Sequence, residues 1–278
     1  MIETVIRPHR NWLRFDVREI VQYRDLLLLL VRRDFVAKYK QTILGPAWFV
    51  VQPLLTTLVF TVVFGSVAKV PTDGMPPMLF YLCGLLSWNY FAQTLNATGN
   101  TFTNHSHIFG KVYFPRLVVP LAVVVSNLFA FGIQLAVFLG FYAYFRWVVG
   151  IPLSFDFSLA LLPVAVAHSA ILALGAGLWI SALSAKYKDF SHLLGFLTQL
   201  WMYATPIIYP LSQVPEKWRW LVIANPMAPV VELYKRIFLG AGTVEPAHYA
   251  VSCAITFVIT VSGLLYFQRV ERTVVDTV

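Results

Sequence analysis

Charge is what this sequence has least of. Only 12% of its 278 residues are Asp, Glu, Lys or Arg, about half the share in an ordinary soluble domain. Hydrophobic residues make up 58%, and mean hydropathy is +0.70. The chain is therefore read as an integral membrane protein. Cysteine is scarce as well. Cys83 and Cys253 both fall in apolar stretches, which excludes a disulfide framework and gives no metal-ligand spacing. Both read as buried, inert thiols.

Several function classes are missing their chemistry. "LLLLLV" (Leu26 to Val31) is flanked by charges and is too short for a cleavable signal, whose apolar region runs to roughly 7–15 residues before a small-residue cleavage site. No G-x-x-x-x-G-K-[ST] phosphate loop is present; "FGKV" around Lys111 lacks the earlier glycine and the hydroxyl. The chain cannot hydrolyse ATP by that route, so active transport would draw on another polypeptide. No long apolar stretch holds an acid or a fixed cation, and only His168 lies well inside one, with His192 and His248 near ends. Ion-coupled carriers place such groups within the bundle, so a secondary transporter or flippase is disfavoured. Asp73, Asp156 and Glu216 are isolated, so a membrane glycosyl- or acyltransferase stands only as a second alternative. No catalytic residue is assigned.

What the sequence does have is six charge-free stretches, at 46–68, 78–99, 117–145, 158–184, 190–209 and 247–267. Each is near the roughly 20 residues that cross a hydrocarbon core. The flanking Lys and Arg set their orientation. Nine lie in the N-terminal segment, and two each in the 100–116 loop, the 185–189 loop and the C-terminal tail. The other three loops hold six. The cation-rich set belongs to the cytoplasm, which puts both termini inside. The expected fold is an all-α polytopic membrane protein. It divides into a cytoplasmic segment (1–44) and a six-helix transmembrane domain (45–278).

Residues 24–40 read as a helix with Leu, Val and Phe on one side and Arg24, Asp25, Arg32, Arg33 and Lys40 largely on the other. A basic amphipathic helix of this kind lies at a membrane interface; the plainer alternative is a solvated positive flank. Gly45 and Pro46 end it and start the first span. In the long external loop, "VPEKWRWLVIANP" and "PVVELYKRIFLG" read as two short helices. In the second, Val230, Leu233, Tyr234, Ile237 and Phe238 line one face, and Glu232, Lys235 and Arg236 the other. The pair is either a re-entrant lid or a cap resting on lipid.

Two ridges run inside the apolar stretches. Ala165, Ser169, Ala173, Gly177, Ser181 and Ala185 recur every four residues, a face that admits another helix closely. Asn89, Gln93, Asn96, Asn100 and Asn104 lie along one face of the second stretch. Such amides are either interhelical glue or the lining of an aqueous path. Trp88, Trp147 and Trp218 sit near expected interfaces, where aromatic belts are ordinary. Trp48, Trp179, Trp201 and Tyr203 either pack or offer an uncharged face to a sugar ring. His105 and His107 are two apart, so on a helix they face nearly opposite ways. With no Cys, Asp or Glu in their loop, no metal site is assigned.

Five segments in order resemble the permease subunits of ABC-2 type polysaccharide exporters: "YKQTILGPAWFVVQPLL" (39–55), "GLLSWNYF" (84–91), "IFGKVYFPRLVVPL" (108–121), "TPIIYP" (205–210) and "NPMAPVVELYKRIFLG" (225–240). The resemblance covers nearly the whole chain. It implies a bacterial inner-membrane transporter for a lipid-linked polysaccharide of O-antigen, capsule or teichoic-acid type, with no nucleic-acid partner. It implies a homodimer with two separate ATPase subunits that bind ATP and Mg, while this chain binds no cofactor. An exporter of drugs or small lipids from the same superfamily is the first alternative.

The resemblance further implies a coupling helix between spans two and three, with His107, Ile108, Phe109, Lys111, Val112, Tyr113, Phe114 and Arg116. Lys186, Lys188 and Asp189 would be a smaller ATPase contact. The break between interface helix and first span would be a hinge at Leu44, Gly45 and Pro46. Pro215, Trp218, Trp220, Glu232, Tyr234 and Arg236 would belong to an external gate. Tyr39, Trp48, Phe49, Trp201 and Tyr203 would line the channel, together with the amides Asn89, Gln93 and Asn96.

Overall fold

The computed structural model describes residues 17–37, 40, 42–109, 114–151 and 157–274, and all its regular elements are helical. Helices α1 (Val17–Gln22) and α2 (Arg24–Ala37) precede a short turn of helix at Gly45–Ala47. Helix α3 (Trp48–Phe60) follows and loosens into a wider π-helical end at Thr61–Val67. Helix α4 (Pro77–Gly99) turns at Asn100 into α5 (Thr101–Phe109). Next come α6 (Val118–Trp147), α7 (Leu162–Lys186) and α8 (Asp189–Tyr203). The short α9 (Glu216–Ala224) and α10 (Ala228–Leu239) precede the last helix, α11 (Pro246–Val274).

Among the described residues, four stretches are long and apolar enough to cross a membrane: Gly45–Val67, Val118–Trp147, Ser158–Lys186 and Pro246–Glu271. The other two expected spans differ for physical reasons. Helix α4 has the length, but Ser87, Asn89, Gln93, Thr94, Asn96 and Thr98 dilute its apolar character. Of its 23 residues 16 are buried within the protein, so its surroundings are mostly helices rather than lipid. Trp88, expected near an interface, is buried there against Phe91. Helix α8 has 15 residues, a rise of about 22 Å against a core of about 30 Å.

Helix α7 holds the bundle together from both sides. Its small-residue ridge is buried from Ala165 through Ser181. A Cβ added at Gly177 would sit 2.6 Å from the Cβ of Thr98 on α4. One added at Gly175 would sit 2.6 Å from the Cα of Thr260 on α11. Both glycines bring backbones closer than any side chain allows. Polar contacts then fix the register. Ser184 Oγ donates to the carbonyl of Gly99 at 3.1 Å. Trp179 Nε1 donates to Ser262 Oγ at 2.9 Å, and His168 Nε2 lies 2.8 Å from Thr256 Oγ1.

The two short helices of the external loop behave differently from one another. Helix α9 keeps an exposed face, with Trp218, Trp220 and Leu221 open. Helix α10 is buried almost all round, against α4 and α7. Glu232 and Lys235, expected on a polar outer face, are only 2% and 1% exposed. Of that trio Arg236 alone stays outside. The charges are tolerated because they neutralise each other. Lys235 Nζ donates to Glu232 Oε1 at 3.1 Å and to the carbonyl of Pro206 at 2.5 Å, and it lies 4.1 Å from the Phe80 ring centre. The other carboxylate oxygen accepts the Thr243 N–H at 3.2 Å. The helix ends at Gly240, whose φ of +66° suits glycine.

The close α4–α7 contact gives a first prediction. Gly177→Leu forces a side chain into the Thr98 backbone groove. Overpacking of this kind costs about 1–3 kcal/mol. The variant is expected to show a lower yield of folded, detergent-stable protein by size-exclusion chromatography. An unchanged yield and melting temperature would contradict the contact.

Candidate functional site

A cleft of about 340 Å³ opens between α3, α4 and α6. Trp48, Phe49, Gln52, Pro53 and Thr56 come from α3, Asn89 and Gln93 from α4, and Gln134 from α6. No Asp, Glu, Lys or Arg is among them. Local sequence sets the α3 wall. Gly45, at φ +51°, reverses the chain after α2, and Pro46 starts the next helical turn. Pro53 has no N–H to offer the carbonyl four residues earlier, which loosens α3 at the cleft.

Helix α2 supports the same wall from behind. Its Leu30 and Val31 are buried with Phe114, Val118 and Val119, which anchors it to α6. Phe35 stacks on Phe49 at 6.2 Å between ring centres and meets Phe129 edge-on. Leu28 and Leu29 stay exposed on the opposite side. This leaves an apolar face for an interfacial position.

The amide ridge of α4 divides in two. Asn89 Nδ2 reaches Gln134 Oε1 at 3.5 Å, and Gln93 faces the cleft. Asn96 and Asn100 turn back to their own helix, donating to the carbonyls of Ala92 and Asn96 at 2.7 and 2.9 Å. Ser191 Oγ donates to Asn100 Oδ1 and fastens the start of α8 to the end of α4. The upper part of the ridge is cleft lining; in the lower part only Asn100 ties two helices, while Asn96 bonds its own helix and Asn104 is exposed.

The channel residues expected from sequence are thus only partly brought together. Trp48, Phe49, Asn89 and Gln93 share the cleft. Trp201 does not: its Nε1 donates to Asn225 Oδ1 at 2.8 Å, and its ring packs edge-on against Phe91. Asn225 also donates to Thr205 Oγ1 and the Ala204 carbonyl and accepts the Met227 N–H. Trp201 is therefore part of the joint between α8 and α10. Tyr203 is exposed at the end of α8, and Asn96 is held to α4. Tyr39 lies outside the described residues. Sequence reasoning missed Gln52 and Gln134; each is an amide in an apolar run, Gln52 alone and Gln134 together with Asn127, and that is the signal that could have found them.

Of the expected ATPase-contact residues, those described lie at the α5 end of the bundle. Helix α5 continues from α4, and Lys186, Lys188 and Asp189 are exposed beside it. Ser184 and Ser191 join the two segments through Gly99 and Asn100. Lys111, Val112 and Tyr113, with the side chains of His107, Ile108 and Phe109, lie outside the described residues. Phe114 and Arg116, expected on the outer surface, are 6% and 7% exposed. Arg116 instead closes the chain on itself: its N–H donates to Glu271 Oε1 at 3.1 Å and its Nη1 to the Glu271 carbonyl at 2.9 Å. The ring of His105 is engaged on both sides, with Arg33 Nη2 3.1 Å from Nε2 and the Thr101 carbonyl 3.3 Å from Nδ1. Of the gate residues, Pro215, Trp218, Trp220 and Arg236 are exposed, while Glu232 and Tyr234 are buried.

The Glu232–Lys235 pair yields a second prediction. Removing one partner of a buried pair strands the other charge and costs about 3–5 kcal/mol, whereas replacing both by apolar residues is much milder. Lys235→Met alone is expected to lower thermal stability in detergent sharply. Glu232→Leu with Lys235→Met should recover most of the loss. Equal melting temperatures for the single and double variants would contradict the pairing.

The sequence pattern of the ABC-2 type transporter family matches residues 25–239. An O-antigen export system permease protein RfbA from Myxococcus xanthus is 33% identical over 226 residues, 80% of this chain and 83% of the relative. A protein of the same name from Klebsiella pneumoniae is 26% identical over 247 residues, 89% of this chain and 92% of the relative. A chain of this kind is a transporter's membrane subunit rather than an enzyme, and it sits as a multi-pass protein in the bacterial inner membrane. The chain belongs to the ABC-2 type transporter family.

Proposed function

We propose that this chain is the membrane subunit of an exporter for a lipid-linked polysaccharide, of the O-antigen kind named for its relatives. The observation that carries the reading is the cleft. Its aromatic rings and amides can touch sugar faces and hydroxyls, and it has no fixed charge to trap a moving chain. The protein crosses the membrane six times with both termini in the cytoplasm. Two copies form the pore, and two separate ATPase subunits bind ATP and Mg.

Helix α5 and the following turn meet the ATPase, with Phe109, Lys111 and Tyr113 as the main contacts and Lys186, Lys188 and Asp189 beside them. Phe114 and Arg116 brace that turn from inside. Leu44, Gly45 and Pro46 let α2 and α3 move against each other. Helices α9 and α10 form the external gate, with α10 re-entrant and α9 at the outer surface.

Proteoliposomes with the permease and its ATPase test this reading. ATP-dependent movement of a lipid-linked glycan is expected, with no movement of hydrophobic drugs. Phe109→Ala with Tyr113→Ala should reduce ATPase co-purification about tenfold, since such contacts concentrate in a few aromatic anchors. Transport of drugs but not of glycan would overturn the proposal.

A further inference from the structure

We propose that the cleft between α3, α4 and α6 selects an uncharged, hydroxyl-rich glycan and discriminates against carboxylate- or phosphate-bearing repeats. This rests on the polysaccharide reading and narrows it to a substrate class.

Three amides around the cleft have hydrogen-bonding capacity left over. Gln134 is only 7% exposed, yet its amide group has no acceptor within the described residues; its oxygen alone is engaged, by Asn89 at 3.5 Å. Gln52 and Gln93 have no side-chain partner there. Gln134 is buried, Gln93 half-buried and Gln52 exposed. An unpaired amide at a buried position is expensive, so the N–H groups of Gln134, with Gln93 and Gln52 beside them on the cleft, are placed for something that enters. Each amide both donates and accepts. That matches a hydroxyl, which also does both. A carboxylate only accepts, and would need a cation or several donors to leave water. None of the eight lining residues is a cation. Arg33, on α2, is turned toward Asp34 and His105. Trp48 and Phe49 supply the apolar faces on which the C–H side of a sugar ring rests. A purely lipophilic occupant would leave the three amides unpaired.

The test uses two matched compounds and the full permease–ATPase complex in proteoliposomes. One is a synthetic lipid-linked oligohexose. The other is the same compound with its primary hydroxyls oxidised to carboxylates. The neutral compound is expected to enter at least about tenfold faster, because a site built to bond hydroxyls rejects what leaves its groups unpaired. Gln52→Lys with Gln93→Lys should narrow that ratio by about tenfold. Gln52→Lys alone, at an exposed position, should narrow it partly and retain co-purification with the ATPase. Equal rates for the two compounds in the unaltered complex would overturn the inference while leaving the polysaccharide reading intact. A ratio unmoved by the single lysine would also overturn it, by placing selection elsewhere. Movement of neither compound, with drugs moving instead, would overturn both.

Discussion

Helix α7 meets α4 and α11 at backbone distance, and the placement of every other helix follows from that. Gly177 lies where Thr98 leaves no room for a methyl group, and Gly175 does the same against Thr260. In hydrocarbon no hydrophobic force draws helices together, so close packing and interhelical hydrogen bonds must do it. Two tight contacts on opposite sides of one helix make α4, α7 and α11 a single body. Helix α10 then finds a ready groove beside α4 and α7, deep enough to require that its charges pair. By contrast, α3 is thinly covered: its Leu55, Leu58 and Val59 are exposed. It is held through Phe49 and a loosened, proline-bearing helix. The cleft therefore lies between a well-covered wall on α4 and a thinly covered wall on α3.

The ends of that arrangement are tied at the α5 side. Asn100, Ser184 and Ser191 join α4, α7 and α8. Arg116 joins the α6 start to the end of α11, and Arg33 meets His105 between α2 and α5. A push on α5 thus has two routes into the bundle. One goes into the firm body through Asn100. The other goes through α2 and Phe35 to Phe49 at the cleft. The second route ends on the thinly covered wall.

Much of this was legible in the chain. The charge-free stretches locate the long helices, though α8 stops early at Tyr203 and α11 runs on to Val274, because unpaired charge is excluded where lipid or a packed core surrounds a helix. The four-residue spacing of small side chains marked a close-contact face on α7, and the fold supplies α4 as its partner. What was not legible depends on partners distant in sequence. Arg116 looks like an ordinary flanking cation, since its partner Glu271 is 155 positions away. Trp201 looks like a free aromatic until Asn225 is seen beside it. Helix α10 has the pattern of a surface helix, with Glu232, Lys235 and Arg236 on one side. Its sequence does hold a hint, because a glutamate and a lysine three apart can neutralise each other in a buried place. Gln52 and Gln134 carry no periodic signal, so only the fold brings them to the cleft.

The proposed path takes cargo between α3 and α4 rather than along the outside of the bundle. A photo-crosslinking amino acid at position 52, on the cleft wall, tests it directly against the same group at position 257, on the exposed face of α11. During ATP-driven export, position 52 is expected to capture labelled glycan and position 257 to capture lipid only. Glycan captured at 257 and not at 52 would contradict the account.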